Sequence, residues 1–469
     1  MSNIKKGIIW TSGEKLFTQL VQFILGIIIA RIISPQEYGV LGIVMVFINV
    51  AEVFVDSGMG SALIYRNNLD KKDTQTTFCF NLMVSLVFYI FLFVASPFIE
   101  EFFKLNGLAV FLRVASLVLL FNSFVIVPTS ILKVKQNFKA ISLANITSTV
   151  LSGILGVIMA YRGYGVWALI YQLLTRSILS MFLINIQCRW LPHFSFYKDS
   201  FKGLWKYSAN LLTLHSLTRI IEEGLAFIIG KSLTPYNLGL FTRGVQFSSL
   251  PNSTISSVLS TVMFPALSSY RQDEKLFYNT YRKTIIVQSI LIPPIYIGLV
   301  IVSEPLIYLL LGEKWMDVVP VLQIFCLGKI IFTLANTTEN VLYSLGYSNI
   351  ALKQQMYKMF IKLLLILLAL KWGFMAVVIA NAVADFTAYF ITNYCARKIL
   401  SYTMYKQLND IYLFIFSAIL AGGCGYLLSY SFSNPFLKIL IAMVISILIY
   451  IGLLFTIKRL QYTSLKIIG

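Results

Sequence analysis

Apolar runs of about twenty residues recur from one end of the chain to the other, and most of the charge falls in the short stretches between them. A helix of that length crosses a hydrocarbon core of ~30 Å. A water-soluble protein would need polar outer faces, with roughly 25% charged residues. This chain of 469 residues has 12%, with 58% hydrophobic residues and a mean hydropathy of +0.79. The pattern predicts an all-α membrane protein. Transmembrane helices are expected at approximately 8–30, 38–64, 77–99, 108–131, 140–160, 165–186, 207–229, 238–267, 284–303, 318–344, 350–370, 373–395, 409–430 and 436–457. That is about 14 spans, an even number, so both termini lie on one side.

The formal net charge of +19 would suggest a nucleic-acid partner in a soluble chain. Its distribution says otherwise. The connections on the far side from the termini hold only seven basic residues, Arg31, Lys104, Arg162, Lys231, Lys314, Lys371 and Lys438. Most of the remaining Lys and Arg lie at the termini and in the connections beside them, which the positive-inside rule places in the cytoplasm. The basic character is therefore a topology signal, and no nucleic acid is expected. The first apolar run lacks a small-residue cleavage pattern and does not read as a signal peptide. Five cysteines show no paired spacing and read as soft packing residues rather than ligands or disulfides.

The chain repeats itself. Residues 30–39 read ARIISPQEYG and residues 230–239 read GKSLTPYNLG. At an offset of 200, Leu25/Leu225, Ile28/Ile228, Ile29/Ile229, Pro35/Pro235 and Gly39/Gly239 are identical. A second echo pairs GVWALI at 165–170 with GFMAVV at 373–378. Locally the first motif reads as helix punctuation, with Ser34 as N-cap, Pro35 at the first helical position and Glu37 completing a capping box. Its recurrence predicts two pseudo-symmetric six-helix lobes, 1–200 and 201–400, with 401–469 adding two further helices. Parallel repeats of this kind occur in transporters.

Charges inside spans are costly and usually face water or a partner. Seven basic residues (Lys15, Arg113, Arg176, Arg219, Arg243, Lys329, Lys362) and seven acidic ones (Glu14, Glu52, Asp56, Glu222, Glu223, Glu339, Asp385) fall there. Thr11, Lys15, Thr18 and Gln22 form one helical face, as do His215, Arg219 and Glu222. The offset matches Lys15 with His215 and Gln22 with Glu222, so the two stripes are expected to line a cavity. Lys15, Thr18, Gln22, Arg219 and Arg243 are its candidate substrate contacts. Glu222, Glu223, Asp56 and His215 are candidates for ion coupling, the histidine because its ordinary pKa lies near neutrality. The competing reading is structural, since Arg219 reaches Glu222 or Glu223 within one helix. Gly224-Leu-Ala-Phe-Ile-Ile-Gly230-Lys231-Ser232 imitates a P-loop, with five residues between the glycines where that motif has four. No nucleotide is expected.

ARIISPQEYGVLGIVMVF at 30–47, VFVDSGMGSALIYR at 53–66 and RGYGVWALIYQ at 162–172 together resemble the Wzx-type polysaccharide flippases. Within these the likeness is to the colanic-acid-type lipopolysaccharide and exopolysaccharide exporters of the multidrug/oligosaccharidyl-lipid/polysaccharide superfamily. The resemblance implies a bacterial inner-membrane protein that moves an undecaprenyl-pyrophosphate-linked oligosaccharide between leaflets by alternating access, for capsule, O-antigen or exopolysaccharide synthesis. It implies a basic cavity for the pyrophosphate, with Lys15, Arg219 and Arg243 in comparable places. It also implies no cofactor beyond a proton or sodium gradient, and work alongside a polysaccharide polymerase and a chain-length regulator. The competing function is a cation-coupled multidrug or metabolite exporter of the same superfamily, against which the span count and the SPQEYG and GVWALI sequences weigh. An enzyme is not expected: the carboxylates on the side away from the termini (Glu37, Glu100, Glu101, Glu304, Glu313, Asp317) sit in connections too short to build a site.

Overall fold

A computed structural model describes residues 2–66, 70–270 and 273–461, leaving aside the side chains of 2–9, 12, 210, 211, 214, 215, 217, 218, 221, 254, 256–266, 268, 348 and 457–461. Among the described residues the chain is all helix, without strands. The helices are α1 Ser2–Ile32, α2 Pro35–Asp56, α3 Met59–Arg66, α4 Lys71–Phe103, α5 Leu108–Ala115, α6 Leu117–Val134, α7 Phe138–Tyr161 and α8 Val166–Cys188. They continue with α9 Lys198–Ser232, α10 Pro235–Ser269, α11 Glu274–Leu311, α12 Val318–Ser344, α13 Ser348–Ala369, α14 Phe374–Ala396, α15 Met404–Ser429 and α16 Pro435–Gln461. Among the described residues, with α2–α3 and α5–α6 each taken as one rod, 11 are long and apolar enough to cross a membrane. The expected spans at 207–229, 238–267 and 350–370 fall in α9, α10 and α13, which are helical too.

The helices gather into two compact units, Met1–Gly239 and Leu240–Gly469. In the first, α7 turns small residues toward its neighbours: Ala144, Ser148, Ser152, Gly153, Gly156 and Ala160 are buried. Lipid tails are as apolar as leucine, so membrane helices associate through close backbone approach rather than the hydrophobic effect. A Cβ on Gly153 would lie 2.0 Å from the Leu25 side chain of α1. Helix α9, expected to open a second lobe, packs along α2, α3 and α4 within this unit.

Both copies of the repeated motif do the same thing. Helices α1 and α9 end at Ile32 and Ser232, and α2 and α10 begin at Pro35 and Pro235. The capping box forms: the Glu37 amide donates to Ser34 Oγ at 3.3 Å and the Ser34 amide to Glu37 Oε2 at 2.8 Å. The Asn237 amide donates to Thr234 Oγ1 at 3.3 Å. The glycines then meet reciprocally. A Cβ on Gly39 would lie 1.7 Å from the Pro235 carbonyl oxygen, and one on Gly239 1.9 Å from that of Pro35. The second echo also holds, because Gly165 and Gly373 precede α8 and α14 at φ 54° and 88°.

The second unit is tied by polar contacts. Lys329 of α12 and Asp385 of α14 form a buried pair at 2.7 Å. Arg282 of α11 grips Asp410 of α15 through Nε (2.6 Å) and Nη2 (2.8 Å), and Tyr402 donates to the same carboxylate at 2.7 Å. Burial, and then the Asp410 carboxylate, raise the Tyr402 phenol above its ordinary pKa, so it stays a donor at any physiological pH. One turn away, the Gln407 amide donates to Tyr281 and Asn393, both at 3.0 Å, and accepts from Tyr389 at 3.1 Å. Helix α15 is thereby joined to the unit by satisfied polar groups.

Gly39→Ala and Gly239→Ala are each expected to cost about 3 kcal/mol, because the opposing atom is backbone and cannot rotate away. The check is the melting temperature of the purified chain. Gly452→Ala, where open space surrounds the site, should not lower it.

Candidate functional site

The motif VFVDSGMGSALIYR carries the local feature that opens the site. Helix α2 stops at Asp56, Ser57 and Gly58 take left-handed φ values of 47° and 70°, and α3 resumes at Met59. Serine tolerates this because its hydroxyl donates to Asn81 Oδ1 of α4 at 3.1 Å. A break in a spanning helix frees backbone groups, which membrane proteins tolerate beside a water-filled cavity or buried protein. Here a cavity of about 640 Å³ lies against the break, walled by α2, α3, α6 and α9.

Three helical faces supply most of its polar groups. From α2 come Asn49, Glu52 and Asp56, spaced i, i+3, i+7. From α6 come Asn122, Thr129 and Lys133, and from α9 come Arg219 and Glu222. Asn122 donates to Glu52 Oε1 at 2.6 Å, fixing that carboxylate. Arg219 lies 3.5 Å from both Glu222 and Glu223, and Asn49 donates to Glu223 Oε1 at 2.9 Å. The Arg219 side chain remains 40% exposed, so these contacts are long and solvated, worth about 0–1 kcal/mol each. An incoming anion can displace them at little cost. Gly60 lets α3 close on α6: its carbonyl accepts from Ser130 Oγ at 3.1 Å, and a Cβ there would lie 2.9 Å from Ile126.

The cavity gathers only part of the expected set. Arg219, Glu222 and Asp56 line it, and Glu223 adjoins it through Asn49 and Arg219. No residue of the α1 stripe lines this cavity. Glu14 accepts from Asn145 of α7 at 3.1 Å, and Gln22, with its amide oriented as its neighbours require, accepts from Arg176 of α8 at 2.6 and 3.2 Å. Thr18 is buried and Lys15 is exposed. Arg243 belongs to the second unit, where it is buried, donates to Gln246 and lies 5.8 Å from the Trp315 ring centroid. The His215 and Thr218 side chains lie outside the described residues.

Glu52, Asp56 and Glu222 face Arg219 and Lys133, so this cavity carries both signs. Asn49, Glu52, Asn122 and Lys133 were absent from the predicted set. The same face-counting rule that picked out α1 would have found the α2 trio. The α6 contribution follows the same rule, because Asn122, Thr129 and Lys133 are spaced i, i+7, i+11 on one helical face. Several of the other charges inside spans are paired within the helix packing. Arg113 donates to Ser96 Oγ at 2.8 Å, and Lys358 to Glu339 at 2.7 Å.

A family model described as "Polysaccharide biosynthesis protein" matches residues 28–320. The chain belongs to this family. It is 24% identical over 343 residues to the succinoglycan biosynthesis transport protein of Rhizobium meliloti (strain 1021), covering 73% of this chain and 69% of that one. It is 24% identical over 351 residues to the lipopolysaccharide biosynthesis protein WzxC of Escherichia coli (strain K12), covering 71% and 68%. Among solved structures, lipid II flippase MurJ in an inward closed conformation superposes with a TM-score of 0.80 at 18% identity, over 96% of this chain and 99% of that one. At that identity the likeness establishes the fold. The resemblance read from the three motifs is borne out, and this family member is a multi-pass protein of the bacterial inner membrane. Two of its motifs touch: Glu37 Oε1 of SPQEYG lies 2.3 Å from where a Cβ on Gly165 of RGYG would be.

If the cavity is wet, Ser61→Cys, at its exposed rim, should react with a charged thiol reagent in a chain whose five native cysteines are replaced by Ala. Ser123→Cys, fully buried on α6, should not react. Labelling is read by mass shift, and equal rates would refute the wet cavity.

Proposed function

We propose that this chain flips an undecaprenyl-pyrophosphate-linked oligosaccharide from the cytoplasmic to the periplasmic leaflet by alternating access, supplying capsule, O-antigen or exopolysaccharide synthesis. In this reading it has fourteen spans, cytoplasmic termini, six-helix lobes at 1–200 and 201–400, and two added helices. The observation that carries it is the cavity beside the Ser57-Gly58 break, in which long, solvated contacts from Glu222 and Glu223 hold Arg219.

A pyrophosphate offers stronger, charge-assisted hydrogen bonds than Glu222 or Glu223 and can take the guanidinium from them. Sugars need water or polar groups, while the polyprenyl tail can stay in lipid. Glu52, Asp56 and Glu222 oppose the phosphate charge, and protons or sodium ions taken up there would relieve the repulsion. A transmembrane gradient thereby becomes the driving force without any nucleotide. Lys15, Thr18, Gln22 and Arg243 remain proposed substrate contacts for other stages of the cycle, and His215 and Glu223 proposed sites of ion coupling. A polysaccharide polymerase and a chain-length regulator would consume the product.

In a deletion strain, surface polysaccharide should vanish and lipid-linked oligosaccharide should accumulate on the cytoplasmic face. Arg219→Ala should reproduce that defect at normal protein level, with Arg219→Lys partly active. Normal export in Arg219→Ala refutes the cavity assignment. Intact polysaccharide with altered drug resistance in the deletion strain refutes the flippase and favours a multidrug exporter. Topology is checked separately: alkaline phosphatase fused after residue 163 should be active, and fused after residue 402 inactive.

A further inference from the structure

A second cavity, of about 380 Å³, lies in the Leu240–Gly469 unit where α14 ends, the connection 397–403 turns and α15 begins. It is independent of the transport cavity and of what the chain transports. Its walls are apolar and aromatic: Phe390, Tyr394, Leu400, Met404 and Tyr405. Tyr394 and Tyr405 are 63% and 80% exposed. Soluble proteins seldom expose such an apolar hollow, but at a membrane surface an acyl chain can fill it.

The rim is cationic. The Arg397 guanidinium stands 3.9 Å from the Tyr394 ring centroid and donates through Nη2 to the Tyr394 hydroxyl at 3.2 Å. That contact uses one of its five N–H donors and fixes the direction of the others. Lys398 and Lys406 flank the cavity in sequence and are exposed. The rim also includes the start of α15, where the N-cap Thr403 makes no side-chain cap, so the positive end of a 26-residue helix faces the same space. No carboxylate lines the cavity. The nearby Asp410 is committed to Arg282 and Tyr402.

An apolar hollow with an oriented guanidinium at its mouth matches one kind of ligand, a molecule with a fatty chain and an anionic head. The connection 397–403 is on the Lys/Arg-rich side of the chain, which faces the cytoplasmic leaflet in the proposed topology, where anionic phospholipids attract basic segments. The geometry points to a binding site for an anionic glycerophospholipid, with its phosphate at Arg397 and an acyl chain between Phe390, Leu400 and Met404. Bound there, the lipid bridges α14 and α15, the junction between the six-helix repeat and the two added helices.

The test uses the full-length protein purified in neutral detergent, with phosphatidylglycerol and phosphatidylcholine of matched chains as probes. Retained lipid is counted by native mass spectrometry and melting temperature is read in parallel. Wild type should retain phosphatidylglycerol in preference and be stabilised by it. Arg397→Gln should reduce the preference about fivefold, the effect of one surface cation. Thr403→Asp guards against misfolding. It places a good N-cap on α15, so the lipid-free protein should melt no lower than wild type, while its carboxylate at the cavity rim should abolish the preference. Equal retention of the two lipids by wild type, or an undiminished preference in both variants, overturns the site. So does equal stabilisation by soluble glycerol phosphate, which lacks the chain, or retention of undecaprenyl phosphate with no preference for phosphatidylglycerol.

Discussion

Two carbonyl oxygens, those of Pro35 and Pro235, occupy the space in which Gly239 and Gly39 would carry side chains. Each proline starts its helix because it has no N–H to lose there, and each glycine follows four residues later because nothing larger fits. The crossing sets the register of what hangs from it. Glu52 lies seventeen residues along α2 from Pro35, about 26 Å at helical rise, and Arg219 thirteen residues back along α9 from its end at Ser232, about 20 Å. Both charged walls of the cavity are positioned from the same reference point, so a slip at the crossing would take Asn49 away from Glu223.

The outline of the fold was legible because a bilayer imposes a strong rule: apolar runs near twenty residues become helices, and every predicted span is helical. Motif recurrence was legible because caps and tight glycines are local chemistry, seen again at Ser34, Thr234, Gly165 and Gly373. The site was only half legible. Arg219, Glu222 and Asp56 announced themselves as charges in apolar runs. The partner of each depends on how helices rotate and pack, which periodicity does not encode. The α1 stripe has sound helical spacing, yet its Gln22 turns to Arg176 of α8.

Mixed charge distinguishes this cavity from a simple anion trap. A wholly basic pocket would hold a pyrophosphate tightly and release it slowly. In the proposed cycle, carboxylates beside Arg219 would weaken the bound state and give the guanidinium somewhere to return when the anion leaves. The same arrangement solves a resting-state problem, because an unpaired Arg at membrane depth is costly. Asn49 and Asn122 keep Glu223 and Glu52 aligned without adding charge.

The contacts around Asp410 and Gln407 have a consequence for how the chain is made. Arg282 and its carboxylate are 128 residues apart, and Tyr281 and Gln407 are 126 apart. Both residues on α11 therefore emerge from the ribosome well before their partners, and the Arg282 guanidinium must stay hydrated at the membrane surface until α15 arrives. Helix α15 thus brings the carboxylate that Arg282 needs, and a nascent chain stalled before residue 410 would display an unmatched arginine to quality-control proteases.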